Sequence, residues 1–497
     1  MALVRDTVRG ALWTISTGMG SRAIGLVGTL LLTRFVAPEE YGEVTIAVVL
    51  VMTANQFSSV GLGQYLVARP ESDPSTTFHV TTYHVLLGVL ALLGVLVFAG
   101  PLGRSFDAPG MTRFLPGLLV ATLFDRLSFV PERLLVRDLR FGPLSGTRTA
   151  SEVLYSITCV GLAALGWGAL AIVIGNVVRS LVRLVMFGAL VDRKEWLQPY
   201  PLTRKQTSEL FAFGVPMALG ALAAFAARRW DNLLVARFFG PGPAGMYNLA
   251  YNLADVPAIQ VGEQIGDVLL PSFARLEPER RAAALVRSMS LLGLVVFPLA
   301  VGLGAVAPTL VAAIFDPRWQ PMGPMLVLLS ALSVARPVGW TIASYLQARQ
   351  LPRLIFWLEG WKLLWLVLCL VTFGRVSPLL ACAAVGVAFA AHALASLWVV
   401  RRIDGIPLMK SLGCLLPASL ACLPMVGGVL AVRKLLQLAG GVGPVVGLTL
   451  EVLAGGLCYG LGAFLFAREA SHDLVARVLD AVRPARRRAL SAGQTPP

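Results

Sequence analysis

The stretch Leu31-Leu32-Thr33-Arg34-Phe35-Val36-Ala37-Pro38, followed by Gly42, returns as Leu234-Val235-Ala236-Arg237-Phe238-Phe239-Gly240-Pro241, followed by Gly245, at a constant offset of 203 residues. Both copies place Arg, Phe, Pro and Gly where an apolar run gives way to a turn. A second correspondence, Phe106-Asp107 with Phe315-Asp316, keeps nearly the same spacing. Chance similarity between apolar segments would not hold one register across a basic, an aromatic, an imino and a glycine position. The chain therefore reads as two related halves.

Outward from the repeat, the residues show which solvent the halves occupy. Of 497 residues 56% are hydrophobic and 14% are charged, whereas soluble domains carry about a quarter charged residues. Runs of ~20 apolar residues predict fourteen spans. They fall at about 10–35, 43–68, 78–100, 112–134, 146–166, 168–190, 209–238, 245–270, 286–314, 322–347, 354–374, 378–400, 411–432 and 444–467. The N-terminal apolar run has no small-residue cleavage site and reads as a retained first span. The expected fold is an all-α polytopic membrane protein of about 14 transmembrane helices. Six spans separate equivalent positions, an even number, so the halves share one orientation. They would form two pseudo-symmetric six-helix bundles around a central cleft, plus two extra C-terminal helices.

The corresponding organisation is an N-terminal lobe over 1–191, a linker over 192–208, a second lobe over 209–402, the two extra helices over 403–467 and a basic tail over 468–497. The net charge of +15 is spread through short loops rather than gathered on a soluble basic face with stacking aromatics, which argues against nucleic acid. Alternate connections are basic, as at Arg133, Arg137 and Arg140, then Arg193, Lys194, Arg204 and Lys205, so both termini should be cytoplasmic. The tail, with Leu474, Val475 and Val478 at helical spacing and Arg486 to Arg488 beyond, reads as a basic interfacial helix on membrane lipids. The six cysteines fall in apolar segments and suggest neither disulfides nor a metal site.

Charges inside apolar spans cost about 2.5–3.5 kcal/mol each and mark candidate sites. Arg22, Arg126, Arg228, Arg229 and Arg336 fall near mid-span and are candidate substrate ligands. Position 225, the repeat equivalent of Arg22, lies one turn from Arg228 and Arg229, and Arg126 aligns with Arg336. Guanidinium forks suit a pyrophosphate. The structural alternative is local pairing, of Arg126 with Asp125 and of Arg228 with Asp231. Arg179 and Arg183 lie toward a span end and are expected to snorkel. Glu359 and Lys362, one turn apart, are expected to pair. Asn248, Asn252, Asp255, Glu263 and Asp267 form a polar stripe at helical pitch, with no acidic counterpart in the first half. With Asp231, the acidic members Asp255, Glu263 and Asp267 are candidate ion-coupling groups, and no cofactor other than a coupling proton or sodium ion is expected.

At these motifs the chain resembles a known family. Gly10-Ala11-Leu12-Trp13, Ser21-Arg22, Leu32 to Gly42, Arg137-Asp138-Leu139-Arg140-Phe141, Asp231-Asn232-Leu233-Leu234, Gly245-Met246-Tyr247-Asn248-Leu249-Ala250 and Pro271-Ser272-Phe273-Ala274 resemble, in order and spacing, polysaccharide transporters of the Wzx type. These belong to the multidrug/oligosaccharidyl-lipid/polysaccharide flippase superfamily. The resemblance implies an alternating-access flippase, not an enzyme, for an undecaprenyl-pyrophosphate-linked oligosaccharide in the bacterial inner membrane, with a polysaccharide polymerase and export complex as partners. Ser21 to Gly25 also resembles the opening of the peptidoglycan-precursor flippase, but Gly28-Thr29 stand where that relative carries an Arg-Asp pair.

Three rival readings remain at this level. A multidrug exporter of the same superfamily would need an acidic or aromatic cavity, against which the mid-span arginines argue. A membrane-embedded polysaccharide-assembly enzyme would need a larger extramembrane loop than these connections supply, and no catalytic set stands out among the four histidines. A non-transporting scaffold leaves the intramembrane charges unexplained. The topology is directly testable: reporter fusions at the C-terminus and at Pro243 should report opposite compartments, and a shared compartment would refute the alternating scheme.

Overall fold

A computed structural model describes residues 24–25, 27–68, 74–138, 140–255, 269, 273, 276–440, 442–468 and 471–472. Among them all regular structure is helical. Nine helices among the described residues are long and apolar enough to cross a membrane, as expected where lipid leaves each backbone N–H and C=O to be satisfied within its own segment. The chain is a multi-pass membrane protein.

The long helices are α1 (Pro38–Ser59), α2 (Pro74–Val97), α3 (Leu115–Arg137), α4 (Phe141–Ala164), α5 (Leu170–Leu190) and α6 (Arg204–Phe239). Then come α7, described over 241–255, α8 (Pro278–Ile314), α9 (Met322–Leu332), α10 (Arg336–Ala348), α11 (Pro352–Thr372), α12 (Pro378–Asp404), α13 (Leu416–Leu438) and α14 (Pro444–Phe466). Their starts follow local rules. Pro38 opens α1, where its missing N–H costs nothing, and Glu39 and Glu40 complement the positive end of the helix. Thr203 caps α6 through the Gln206 amide.

Several boundaries differ from the sequence reading: the second span breaks after Ser59, where Val60 and Gly61 take positive φ, and two further differences bear on the site. The turn expected over Gly240 to Gly245 is confined to Gly240, whose φ of 76° breaks α6, and the helix restarts at Pro241. The tenth span is broken by a short 3-10 turn, Ser333–Ala335, between α9 and α10. Pro337 explains the break, because it lacks an N–H and its ring crowds the carbonyl four residues earlier.

Contacts divide the chain into two compact units that do not follow the sequence halves. The first comprises Met1–Asn252, Ile314–Met325 and Phe356–Ala388; the second comprises Leu253–Ala313, Leu326–Ile355 and Phe389–Pro497. In the first unit the two repeat motifs meet. A Cβ on Gly42 would overlap the carbonyl oxygen of Pro241, and one on Gly245 would overlap the carbonyl oxygen of Pro38. Around this crossing Trp319, fully buried, donates its indole N–H to the Thr33 carbonyl at 3.0 Å and meets Tyr41 edge-on at 5.6 Å. Arg318 reaches the Arg34 carbonyl at 3.4 Å. Also in the first unit, Leu62 and Leu66 of the short helix Leu62–Ala68 form an apolar core with Val130 and Leu134 of α3, Phe187 of α5 and Leu210 of α6.

In the second unit α13 and α14 are fastened by a buried ion pair. Arg433 holds Glu451, 1% exposed, through two bonds of 2.9 and 2.8 Å. Thr309 of α8 donates to the same carboxylate at 2.7 Å, and Arg433 also reaches the Ala305 carbonyl at 2.6 Å. Removing one partner leaves an unbalanced buried charge, so Glu451→Ala should cost about 3–5 kcal/mol, whereas Arg433→Leu with Glu451→Leu should recover most of that loss. Thermal unfolding in detergent checks this as a fall in Tm for the single variant and its recovery in the double.

Candidate functional site

The arginines expected to act together occupy three different environments. On α6, Arg228 is exposed and donates to its own helix at the Ala224 carbonyl, 3.2 Å away; Arg229 is half-buried. Among the described residues neither has a carboxylate at salt-bridge distance. Arg228 lies eleven residues from the end of α6 at Phe239, about 17 Å along the axis and so near the middle of a hydrocarbon layer of about 30 Å.

The expected alternative pairing of Arg228 with Asp231 does not form. Asp231 lies on the buried side of α6, 1% exposed, and its carboxylate accepts from the Tyr247 hydroxyl at 2.5 Å and from the Asn232 backbone and side-chain amides at 2.9 and 3.0 Å. The network continues from Asn248 to Asn232 at 2.8 Å and from Asn252 to Asn248 at 3.0 Å. Two of the expected stripe residues, Asn248 and Asn252, thus extend an internal amide chain that ends on an ionisable group. No guanidinium or ammonium among the described residues closes a salt bridge with Asp231.

Arg126 is 2% exposed and tied to three elements. It donates to the Asn55 carbonyl at 2.6 Å, to the Ser58 hydroxyl and to the His84 carbonyl at 3.1 Å. The His84 ring stacks on Phe129 beside it at 4.0 Å. The guanidinium therefore neutralises carbonyl dipoles near the C-terminal end of α1 and joins α1, α2 and α3. These surroundings do not match the expected substrate-facing role. Nor does Arg126 pair with Asp125, whose carboxylate lies 4.0 Å from Arg183.

In the second unit Arg336 pairs with Asp255 and lies over the Phe389 ring at 4.6 Å, both charged side chains being nearly buried. An arginine expected on the substrate and an aspartate expected in coupling are thus each other's partners. The 3-10 break before Arg336 places this charge at the start of α10 rather than within a continuous helix. Arg22, Glu263 and Asp267 lie outside the described residues. Lys362 and Glu359 pair as expected, at 2.5 Å. No cluster of three metal-ligating side chains occurs among the described residues.

Sequence reasoning missed a set of charges on α3, α4 and α5. Arg179 and Arg183 turn to carboxylates on neighbouring helices; Arg179 reaches Glu152 at 3.7 Å, and Arg183 faces Asp125. Arg148 pairs with Glu132. The signal was present in the spacing. Arg148 and Glu152 are four apart on α4, Arg179 and Arg183 four apart on α5, and Asp125 and Glu132 seven apart on α3, which puts each set on one helix face.

Comparison with known proteins places this architecture. A family model described as "Polysaccharide biosynthesis protein" matches residues 31–324, more than half of the chain. The succinoglycan biosynthesis transport protein ExoT of Rhizobium meliloti is 28% identical over 98% of each chain. The lipopolysaccharide biosynthesis protein WzxC of Escherichia coli is 27% identical over 70% of this chain and 71% of its own. Among solved structures, the lipid II flippase MurJ in an inward closed conformation superposes with a TM-score of 0.74, covering 92% of this chain and 99% of its own at 15% identity; that likeness is one of fold. With the repeat, the helical architecture and the matched segment in agreement, the chain belongs to the polysaccharide biosynthesis protein family.

Proposed function

We propose that this protein is a flippase that carries polyprenyl-pyrophosphate-linked oligosaccharide across the bacterial inner membrane by alternating access, with both termini on the cytoplasmic side. The observation that carries the reading is the pair Arg228 and Arg229, set at mid-span and without a carboxylate at salt-bridge distance among the described residues. An arginine exposed at that depth is too costly to face lipid, so its surface must meet water or a polar ligand. A pyrophosphate supplies both the missing charge and paired oxygens for the guanidinium forks. The family membership and the named transport role of ExoT point the same way.

The set of expected ligands narrows accordingly. Arg228 and Arg229 take the phosphates, together with Arg22 of the first span. Arg336, already paired with Asp255, is kept apart from that set as a separate candidate. Arg126 positions the helices around the site. Asp231, buried and without a salt-bridge partner among the described residues, is the foremost group for coupling a proton or sodium ion, with Asp255, Glu263 and Asp267 as further candidates. A multidrug exporter handling organic cations would be poorly served by an unbalanced arginine pair. The protein's role is transport rather than catalysis, and a polymerase and export machinery would receive the product on the far side.

Arg228→Gln should lower surface polysaccharide by about tenfold or more at matched protein level, as expected for the loss of a charge-assisted contact. Adding Asp231→Asn should not restore it, because the two side chains do not pair; restoration would assign Arg228 a structural role. Asp231→Asn alone should slow flipping in reconstituted vesicles while substrate affinity stays within about twofold, and a pure loss of affinity would remove Asp231 from coupling.

A further inference from the structure

Three ion pairs descend one face of the first unit: Glu152 with Arg179, Asp125 with Arg183, and Glu132 with Arg148. They come from α4 and α5, α3 and α5, and α3 and α4, so no helix supplies the whole set. Arg179 lies near the middle of α5 and Glu152 near the middle of α4, while Glu132 and Arg148 lie toward the helix ends that meet at the basic loop. Asp125 and Glu132 are seven residues apart, about 10 Å along the helix, or two turns.

Two properties separate this ladder from an ordinary buried ion-pair network. First, two charged groups away from the helix ends remain accessible: Asp125 is 39% exposed and Arg183 27%. Accessible charges at this depth cannot face hydrocarbon, so the ladder fronts an aqueous space. Second, the two deeper pairs are loose, at 3.7 and 4.0 Å. A carboxylate offers about four lone-pair sites and a guanidinium five N–H donors, so pairs this open leave donors and acceptors unspent. Arg179 is steadied by Asn176 at 2.5 Å and by the Tyr155 ring at 4.8 Å, and Arg183 by Ser151 at 3.2 Å. The guanidinium groups are held in place by neighbours rather than by tight contact with their carboxylates.

The charge balance identifies the ligand. Three carboxylates against three guanidinium groups leave the ladder with no net charge, so it offers no net attraction to a phosphate or to an organic cation. A neutral polyol needs none, since each hydroxyl both donates and accepts; neighbouring hydroxyls match the two oxygens of a carboxylate or the forked N–H groups of an arginine. The unbalanced Arg228 and Arg229 present the opposite character. We infer that the Asp125, Glu132, Arg148, Glu152, Arg179 and Arg183 ladder is a carbohydrate-binding wall that takes the hydroxyl-rich headgroup of the cargo, while the phosphates are held elsewhere, at Arg228 and Arg229. The inference rests on the flippase reading and assigns the sugar-bearing part of that substrate to α3, α4 and α5.

The test uses the full-length protein in lipid nanodiscs and measures apparent Kd by native mass spectrometry for two probes. One is the lipid-linked oligosaccharide extracted from cells in which this gene is deleted; the other is undecaprenyl pyrophosphate without sugar. The wild type should bind the sugar-bearing lipid about tenfold tighter than the bare one, as expected for a set of hydrogen bonds to charged groups. Glu152→Gln with Arg179→Gln, which leaves no unpaired charge, should erase that difference and keep affinity for the bare lipid within about twofold. Arg228→Gln with Arg229→Gln should weaken both probes. The exchanged pair Glu152→Arg with Arg179→Glu retains a salt bridge and should match the wild type in thermal stability while losing the preference for sugar. The inference is overturned if the wild type shows no preference, if the double glutamine variant weakens both probes equally or neither, or if the exchanged pair retains the preference. Absence of binding to either probe by the wild type would instead overturn the flippase reading.

Discussion

Two backbone carbonyls, those of Pro38 and Pro241, occupy the space that side chains would need at Gly245 and Gly42. The first unit is organised around that approach. No side chain intervenes, so the starts of α1 and α7 cross at backbone distance, and small-residue crossings of this kind are how helices gain contact in a solvent as apolar as their own side chains. Trp319 and Arg318 then close on the Thr33 and Arg34 carbonyls, which terminate the preceding helical turns and would otherwise lack partners in a weakly polar setting. The segment Ile314–Met325 therefore clusters with the first half rather than with its sequence neighbours.

Away from that crossing the molecule treats intramembrane charge in distinct ways, and the difference sorts structure from function. Arg433 and Glu451 satisfy each other and their neighbours almost completely, which fixes the two extra helices on α8. Arg126 has no carboxylate at salt-bridge distance among the described residues; helix-end carbonyls and a hydroxyl receive its N–H groups. Arg228 is exposed and Arg229 half-buried, and neither has a carboxylate at salt-bridge distance among the described residues. The ladder on α3, α4 and α5 lies between these extremes, balanced in sign but open to solvent. A fully satisfied pair has nothing left to offer a ligand, whereas an open one does. Burial and pairing together discriminate where depth alone cannot.

Much of the architecture was legible in the residues because lipid imposes length and hydrophobicity directly on each span. The repeat at Arg34 and Arg237 also pointed to the right place, since those turns meet in the folded chain. What the sequence could not show was which partner each charge would choose. Asp125 lies beside Arg126 in the chain, yet adjacent residues on a helix point about 100° apart, and Asp125 turns to Arg183 on another helix. Asp231 and Arg228 are one turn apart but fall on the buried and exposed sides of α6. Helical spacing predicts which residues share a face, while partner choice depends on which faces of other helices come opposite. The break at Ser333–Ala335 was marked by Pro337 and overlooked because the surrounding run remained apolar.

The crossing of Gly42 with Pro241 and of Gly245 with Pro38 is reciprocal: each motif gives the other a carbonyl and receives one on its glycine. A contact in which one residue meets another and the equivalent residues meet in return is the signature of an isologous interface, the kind that a two-fold axis produces in a homodimer. Two six-span subunits facing each other in the same orientation would make this contact on their dyad with a single copy of the motif. Gene duplication and fusion would then preserve it as an intramolecular contact, with both glycines still constrained although the rest of each half was free to diverge. On that account Gly42 and Gly245 form a junction that neither half could alter alone, since a side chain on either would displace the other's backbone.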